Sequence, residues 1–201
     1  RRLPRPPFMA AAAPLLRVQS AGNEAGNYVS FLLNGAQPSS NLPAVTQNEN
    51  NKNRGLTFWV VDSNSLAVQA RAQFYDTGSS TSGTTSMTSW LGIMSNSYAD
   101  SFILAGCLDS CTFQDSAYEA LRTHLGVAIT EHCFRCSYAA IAQLPGVFLA
   151  EARGTDRTTV VDVNWSPPPP SPPPPLPPPP VPPPPSPPPS PPPTPPPPSP
   201  P

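Results

Sequence analysis

Gly55-Leu56-Thr57-Phe58-Trp59-Val60-Val61-Asp62 is the stretch that decides the fold. Six of its residues form a near-continuous run of β-branched, aromatic and aliphatic side chains. Such a run has no polar face, so it predicts a strand in the middle of a sheet, covered on both sides. The segment Asp62-Ser63-Asn64-Ser65 supplies turn chemistry, and Leu66 to Tyr75 then reads as the return strand of a hairpin.

Working outward, shorter strands are predicted at 15–20 (LLRVQS) and 28–35 (YVSFLLNG). A polar, Asn-rich loop follows from Gln47 to Asn53. Ser101 to Cys107 (SFILAGC) reads as a second buried strand. Cys136–Ala142 and Val147–Ala152 form a strand pair around Pro145-Gly146, and Thr158 to Trp165 closes the domain with Trp165 as its last core residue. Two helices interrupt the strands. One is a short helix around Thr88–Ser95, after a Ser/Thr/Gly stretch at Ser79–Ser89 that reads as a flexible loop. The other runs from Asp115, as N-cap, to Leu125, with Gly126 as its stop. Strands outnumber helices and the order is mixed, so the expected class is α+β.

Composition divides the 201 residues sharply. Residues 166–201 hold 28 of the 35 prolines in blocks such as SPPPP, LPPPP and TPPPP, without a charge among them. Proline fixes φ and offers no N–H, so this tail is expected as polyproline II, about 3.1 Å per residue and some 110 Å in all. The charged residues, aromatics and cysteines all lie in 1–165, a length that suits one domain. The expected organisation is a disordered or leader-like segment at 1–14 (FMAAAAPLL follows three arginines), a globular domain at 15–165 and a stalk at 166–201. A formal net charge of −1 and dispersed arginines argue against nucleic acid as a partner, and no apolar run is long enough to span a membrane.

Three readings compete for the tail. A ligand for SH3 or WW modules would place basic residues beside its PxxP units, and a passive linker needs no sequence at all. The Ser-(Pro)3–4 blocks, however, resemble the hydroxyproline-rich, glycosylated segments of extensin-like glycoproteins of plants and algae. That resemblance implies an extracellular place, in a cell wall or matrix.

The folded part has a resemblance of its own. The ordered series Gly55-Leu56…Val61-Asp62, Tyr75-Asp76-Thr77, Ile103-Leu104-Ala105…Asp109, Ala120-Leu121…Gly126 and Phe134-Arg135…Ala139 resembles the ILEI/PANDER domain over about residues 15–152. This is the interleukin-like family, which also occurs as the stem of an O-mannose N-acetylglucosaminyltransferase. The chain departs from the family pattern at Tyr75, Cys136 and Tyr138, and in the reduced Asn53-Arg54-Gly55. The resemblance implies a compact sandwich of two mainly antiparallel sheets with flanking helices. It also implies either cytokine-like signalling or non-catalytic sugar binding. The residues that match the sugar-holding positions are Arg54, Asp109 and Arg135.

Asp109 follows one buried strand and Arg135 precedes another, so both sit at strand ends, where sites on rigid scaffolds gather. A carboxylate beside a guanidinium suits vicinal sugar hydroxyls, and it suits a structural ion pair locking two loops equally well. Tyr138 is expected to offer an apolar face to a sugar ring.

The four cysteines, Cys107, Cys111, Cys133 and Cys136, have C-x3-C and C-x2-C spacing. They fit two disulfides in an exported protein, a four-thiolate zinc site, or free thiols. The stalk favours disulfides, with three connectivities open. His124 is placed in the last turn of its helix, where an imidazolium would suit the helix dipole. Asn164-Trp165-Ser166 is the one N-glycosylation sequon. No nucleophile–base pair or paired carboxylate suggests an enzyme, and no cofactor is called for. The leading expectation is a carbohydrate-binding module of a wall or matrix glycoprotein, with glycans or glycoproteins as partners. The alternative is a structural wall glycoprotein whose domain mediates protein assembly.

Overall fold

The computed structural model describes residues 15–36, 45–46, 55–74, 81–108, 114–130 and 134–168. The expected leader at 1–14, the Asn-rich loop at 47–53 and the stalk from residue 169 onward lie outside them. Two antiparallel sheets are present. The first has the order β3-β2-β1-β9, from β1 (Leu16–Ala21), β2 (Tyr28–Leu33), β3 (Val45–Thr46) and β9 (Val160–Trp165). The second has the order β5-β4-β6-β7-β8, from β4 (Gly55–Val61), β5 (Val68–Phe74), β6 (Phe102–Leu108), β7 (Tyr138–Gln143) and β8 (Val147–Arg153). With α1 (Thr81–Ser97) and α2 (Asp115–Leu125), this is an α+β sandwich of two sheets with flanking helices.

The quoted stretch is β4, and it is central: it pairs with β5 on one side and β6 on the other. All seven of its residues are buried because each face meets a different core. Leu56, Phe58 and Val60 join Ile103, Ala105, Tyr138 and Ala140 in a core shared with Met87 and Leu91 of α1 and Leu121 and Leu125 of α2. Trp59 and Val61 join Leu104, Ile141, Val18, Phe31 and Val163 in the core between the sheets. The period of two along a strand therefore separates two apolar environments rather than core from water. Phe31 and Trp59 tie the sheets together with ring centroids 4.9 Å apart.

Gly106 lets the sheets close. A Cβ there would overlap Cγ1 of Val29, with Val18 also in reach. Gly126 stops α2 as expected: it adopts φ 68°, and its N–H bonds the Arg122 carbonyl.

Three expectations need adjustment. Helix α1 begins at Thr81, so from that residue on the Ser/Thr/Gly stretch is helix and not a flexible loop. Thr85 and Thr88 return their hydroxyls to the carbonyls of Thr81 and Thr84, both at 2.9 Å. Thr84, Met87, Leu91 and Met94 form a buried stripe at helical spacing, so packing on the sheet overrides weak intrinsic propensity. Asp115 is the first residue of α2 rather than its cap, which is Gln114. Trp165 is only partly buried and packs on Phe102 at the rim of the inter-sheet core, 5.0 Å between centroids.

Candidate functional site

Three loops meet at one end of the sandwich: the β1–β2 connection (22–27), the segment 134–137 before β7, and the β8–β9 connection (154–159). Backbone bonds stitch them together. Gly22 N–H donates to the Thr159 carbonyl (3.0 Å), Asn23 N–H to Arg135 (3.1 Å), Glu24 N–H to Arg157 (3.0 Å) and Gly154 N–H to Ser137 (2.8 Å). Two serines continue the stitching inside. The buried Ser20 hydroxyl donates to the Cys107 carbonyl (2.7 Å) and accepts from the Tyr138 N–H (3.1 Å). The Ser137 hydroxyl donates to the Thr159 carbonyl (2.8 Å). Polar groups buried at a strand end are satisfied this way, and the loops they hold become rigid.

A cleft of about 490 Å³ opens on these loops, lined by Glu24, Phe134, Cys136, Asp156, Arg157 and Thr158 among others. Its volume falls in the range of ligand sites, roughly 300–1,000 Å³. Phe134 is 46 % exposed, and two guanidiniums lie over its ring, Arg135 at 5.0 Å and Arg157 at 5.7 Å from the centroid. Arg157 Nη1 stands 3.8 Å from Glu24 Oε1. Asp156 caps its own turn: Oδ1 accepts from the Thr158 N–H (2.9 Å) and from the hydroxyls of Thr158 and Thr159 (2.8 Å each). These bonds hold its carboxyl below the usual carboxylate range. Arg135 has left-handed backbone, φ 64°, a conformation of non-glycine residues that concentrates at functional sites.

Of the residues expected from sequence, Arg135 is here. Arg54, Asp109, Cys111 and Cys133 lie outside the described residues. Tyr138 is corrected: it is fully buried in the core beneath α1 and α2, where no sugar can reach it. Burial and the nearby Glu151 carboxylate push its phenol well above the usual tyrosine range. The exposed ring is Phe134, four residues earlier. Cys107 and Cys136 are both disulfide-bonded. Among the described residues no cysteine is free and no cluster of metal-ligating side chains occurs.

His124 does sit in the last turn of α2, but its Nδ1 faces the Ser95 hydroxyl at 2.9 Å. Partial burial lowers its pKa, so the neutral ring is favoured and not the imidazolium. Asn164 is exposed on β9, an edge strand, with its amide 3.2 Å from Asp162 Oδ1.

Sequence reasoning did not single out Phe134 as a site residue, and it missed Glu24, Asp156 and Arg157. Their turns carry a signal, Gly22-Asn23-Glu24-Ala25-Gly26-Asn27 and Gly154-Thr155-Asp156-Arg157-Thr158, which reads as tight turns but does not say that the two meet.

The fold and the cleft define a class, a helix-backed double-sheet sandwich with an aromatic, charge-balanced cleft on its loop-bearing end. Comparison with family models and with curated sequences gives no match for the chain. Among the described residues no helix is long and apolar enough to cross a membrane.

Proposed function

We propose that the domain is a non-catalytic carbohydrate-binding module of a secreted, wall- or matrix-embedded hydroxyproline-rich glycoprotein. The observation that carries this reading is the half-exposed Phe134 ring beside Arg157 and Glu24, in a cleft whose walls are fixed by backbone hydrogen bonds. An aromatic face takes the C–H side of a sugar ring, while a guanidinium donates to its hydroxyls and a carboxylate accepts from them. Arg135 completes the cationic side. The disulfides at Cys107 and Cys136 and the proline-rich tail accord with an extracellular setting.

The test is titration of the protein against a panel of glycans. Micromolar to millimolar binding that Arg157→Ala and Arg135→Ala each weaken supports the module, and absence of binding across the panel refutes it. A second reading, assembly through protein contacts, is favoured by one observation. The edge strand β8 opens with Val147 and Phe148, 50 % and 48 % exposed, and unpaired strand edges invite another chain. It predicts self-association that free sugar leaves untouched, measured by sedimentation.

A further inference from the structure

The charges around Phe134 come in opposed pairs. Glu24 and Asp156 line the cleft with Arg157, and Arg135 lies over the same ring. Asp156 has one oxygen, Oδ1, engaged by its own turn through three bonds, which fix the position of its charge. Glu24 and Arg157 differ. Their backbones are tied by the Glu24 N–H to Arg157 carbonyl bond, yet their side-chain atoms stand 3.8 Å apart, longer than the 2.7–3.2 Å of a hydrogen bond. Both are about half exposed, 54 % and 48 %. A donor fork and an acceptor are thus held side by side, with exposed faces that do not fully satisfy each other.

We infer that this cleft selects neutral saccharides, one sugar ring lying on Phe134 with two neighbouring hydroxyls engaging Glu24 and Arg157. The inference rests on the glycan-binding reading above and adds the substrate class. A uronate, a sulfate or an amino sugar would meet two like charges beside two opposite ones, so its own charge gains no net attraction to offset the cost of its desolvation. A neutral ring carries no such cost. It supplies one hydroxyl to accept from Arg157 and another to donate to Glu24, and both bonds are charge-assisted.

The experiment uses the full chain in calorimetric titrations with four oligosaccharide sets: neutral hexose or pentose, uronate, sulfated and amino sugar, each at low and high salt. The expected result is binding of a neutral oligomer with a Kd that changes less than about twofold with salt, since no net charge is neutralised. Glu24→Gln is expected to weaken the neutral oligomer roughly fivefold and to raise uronate binding. Phe134→Ala is expected to weaken it about tenfold, the scale of a lost aromatic contact. Both positions are exposed, and unchanged circular dichroism confirms that the variants fold. Tighter binding of a uronate, sulfated or amino sugar than of any neutral oligomer would overturn the inference while leaving the glycan-binding reading standing. Neutral binding that ignores both substitutions would overturn it too, since the sugar would then sit elsewhere. Failure of every set to bind removes both together.

Discussion

Side chains with shifted pKa values, among them His124, Asp62 and Asp156, set how the domain responds to pH. His124 is a base whose pKa is lowered by burial, so the folded state takes up its proton less readily than the unfolded chain does. Its contribution is fully present above the ordinary histidine value of about 6.5 and declines as pH falls below it. Asp62 and Asp156 are acids with lowered pKa values. Asp62 is held by the Ser65 and Asn64 N–H groups and the Ser65 hydroxyl, and Asp156 by Thr158 and Thr159. Their contribution is present above the usual carboxylate value of about 4 and is lost as pH falls through the folded values. Urea midpoints are therefore expected to fall in two stages, one as pH drops below about 6.5 and one below about 4. His124→Gln should flatten the first stage and Asp156→Asn part of the second, with the other stage unchanged in each case.

At the scale of elements, contact between the sheets depends on what Gly106 lacks. Gly106→Val is expected to cost about 1–3 kcal/mol, because the new methyl groups must displace Val29 from a packed core. Leu104→Ala, in the same core, should cost about 2–5 kcal/mol. Both are read as shifts in urea midpoint.

Element patterns also show what a single chain of letters can disclose. The central strands were legible because an apolar run six residues long has few other homes, and α2 because Gly126 punctuates it. The first half of α1 was not. Its serines and threonines read as loop until the stripe through Met87, Leu91 and Met94 finds a sheet to lie on. Tyr138 misled for a related reason. In Tyr138-Ala139-Ala140-Ile141-Ala142 nothing polar alternates, so the letters do not say which face a side chain takes. Arg135 could be singled out because a strand follows it. Glu24 and Arg157 could not, since 133 positions part them and only the pairing of β1 with β9 brings their turns together.

For the whole molecule, the chain divides into two units, residues 1–169 and residues 170–201. Truncation after Pro169 is expected to leave the thermal midpoint unchanged, because both hydrophobic cores lie within residues 16–165. A calorimetric scan checks this. Intact mass with and without reductant, on protein from its native source, tests the extracellular proposal. A mass gain on reduction together with added hydroxyl and sugar mass is expected; a bare, fully reduced chain would refute it.

The partnership of β1 and β9 has a mechanical corollary. Leu16 lies opposite Trp165, so the backbone comes into the sandwich and departs from it at adjacent points. The loop-bearing end with its cleft lies at the far end of both strands. In an antiparallel ladder the bonds run perpendicular to the strands, so tension drawn through the two ends loads the Leu16–Trp165 rung first and the next only after that one parts. The head should peel at low force, one rung at a time, instead of resisting in shear. Force applied at these two ends would open the rim long before the cleft felt any load.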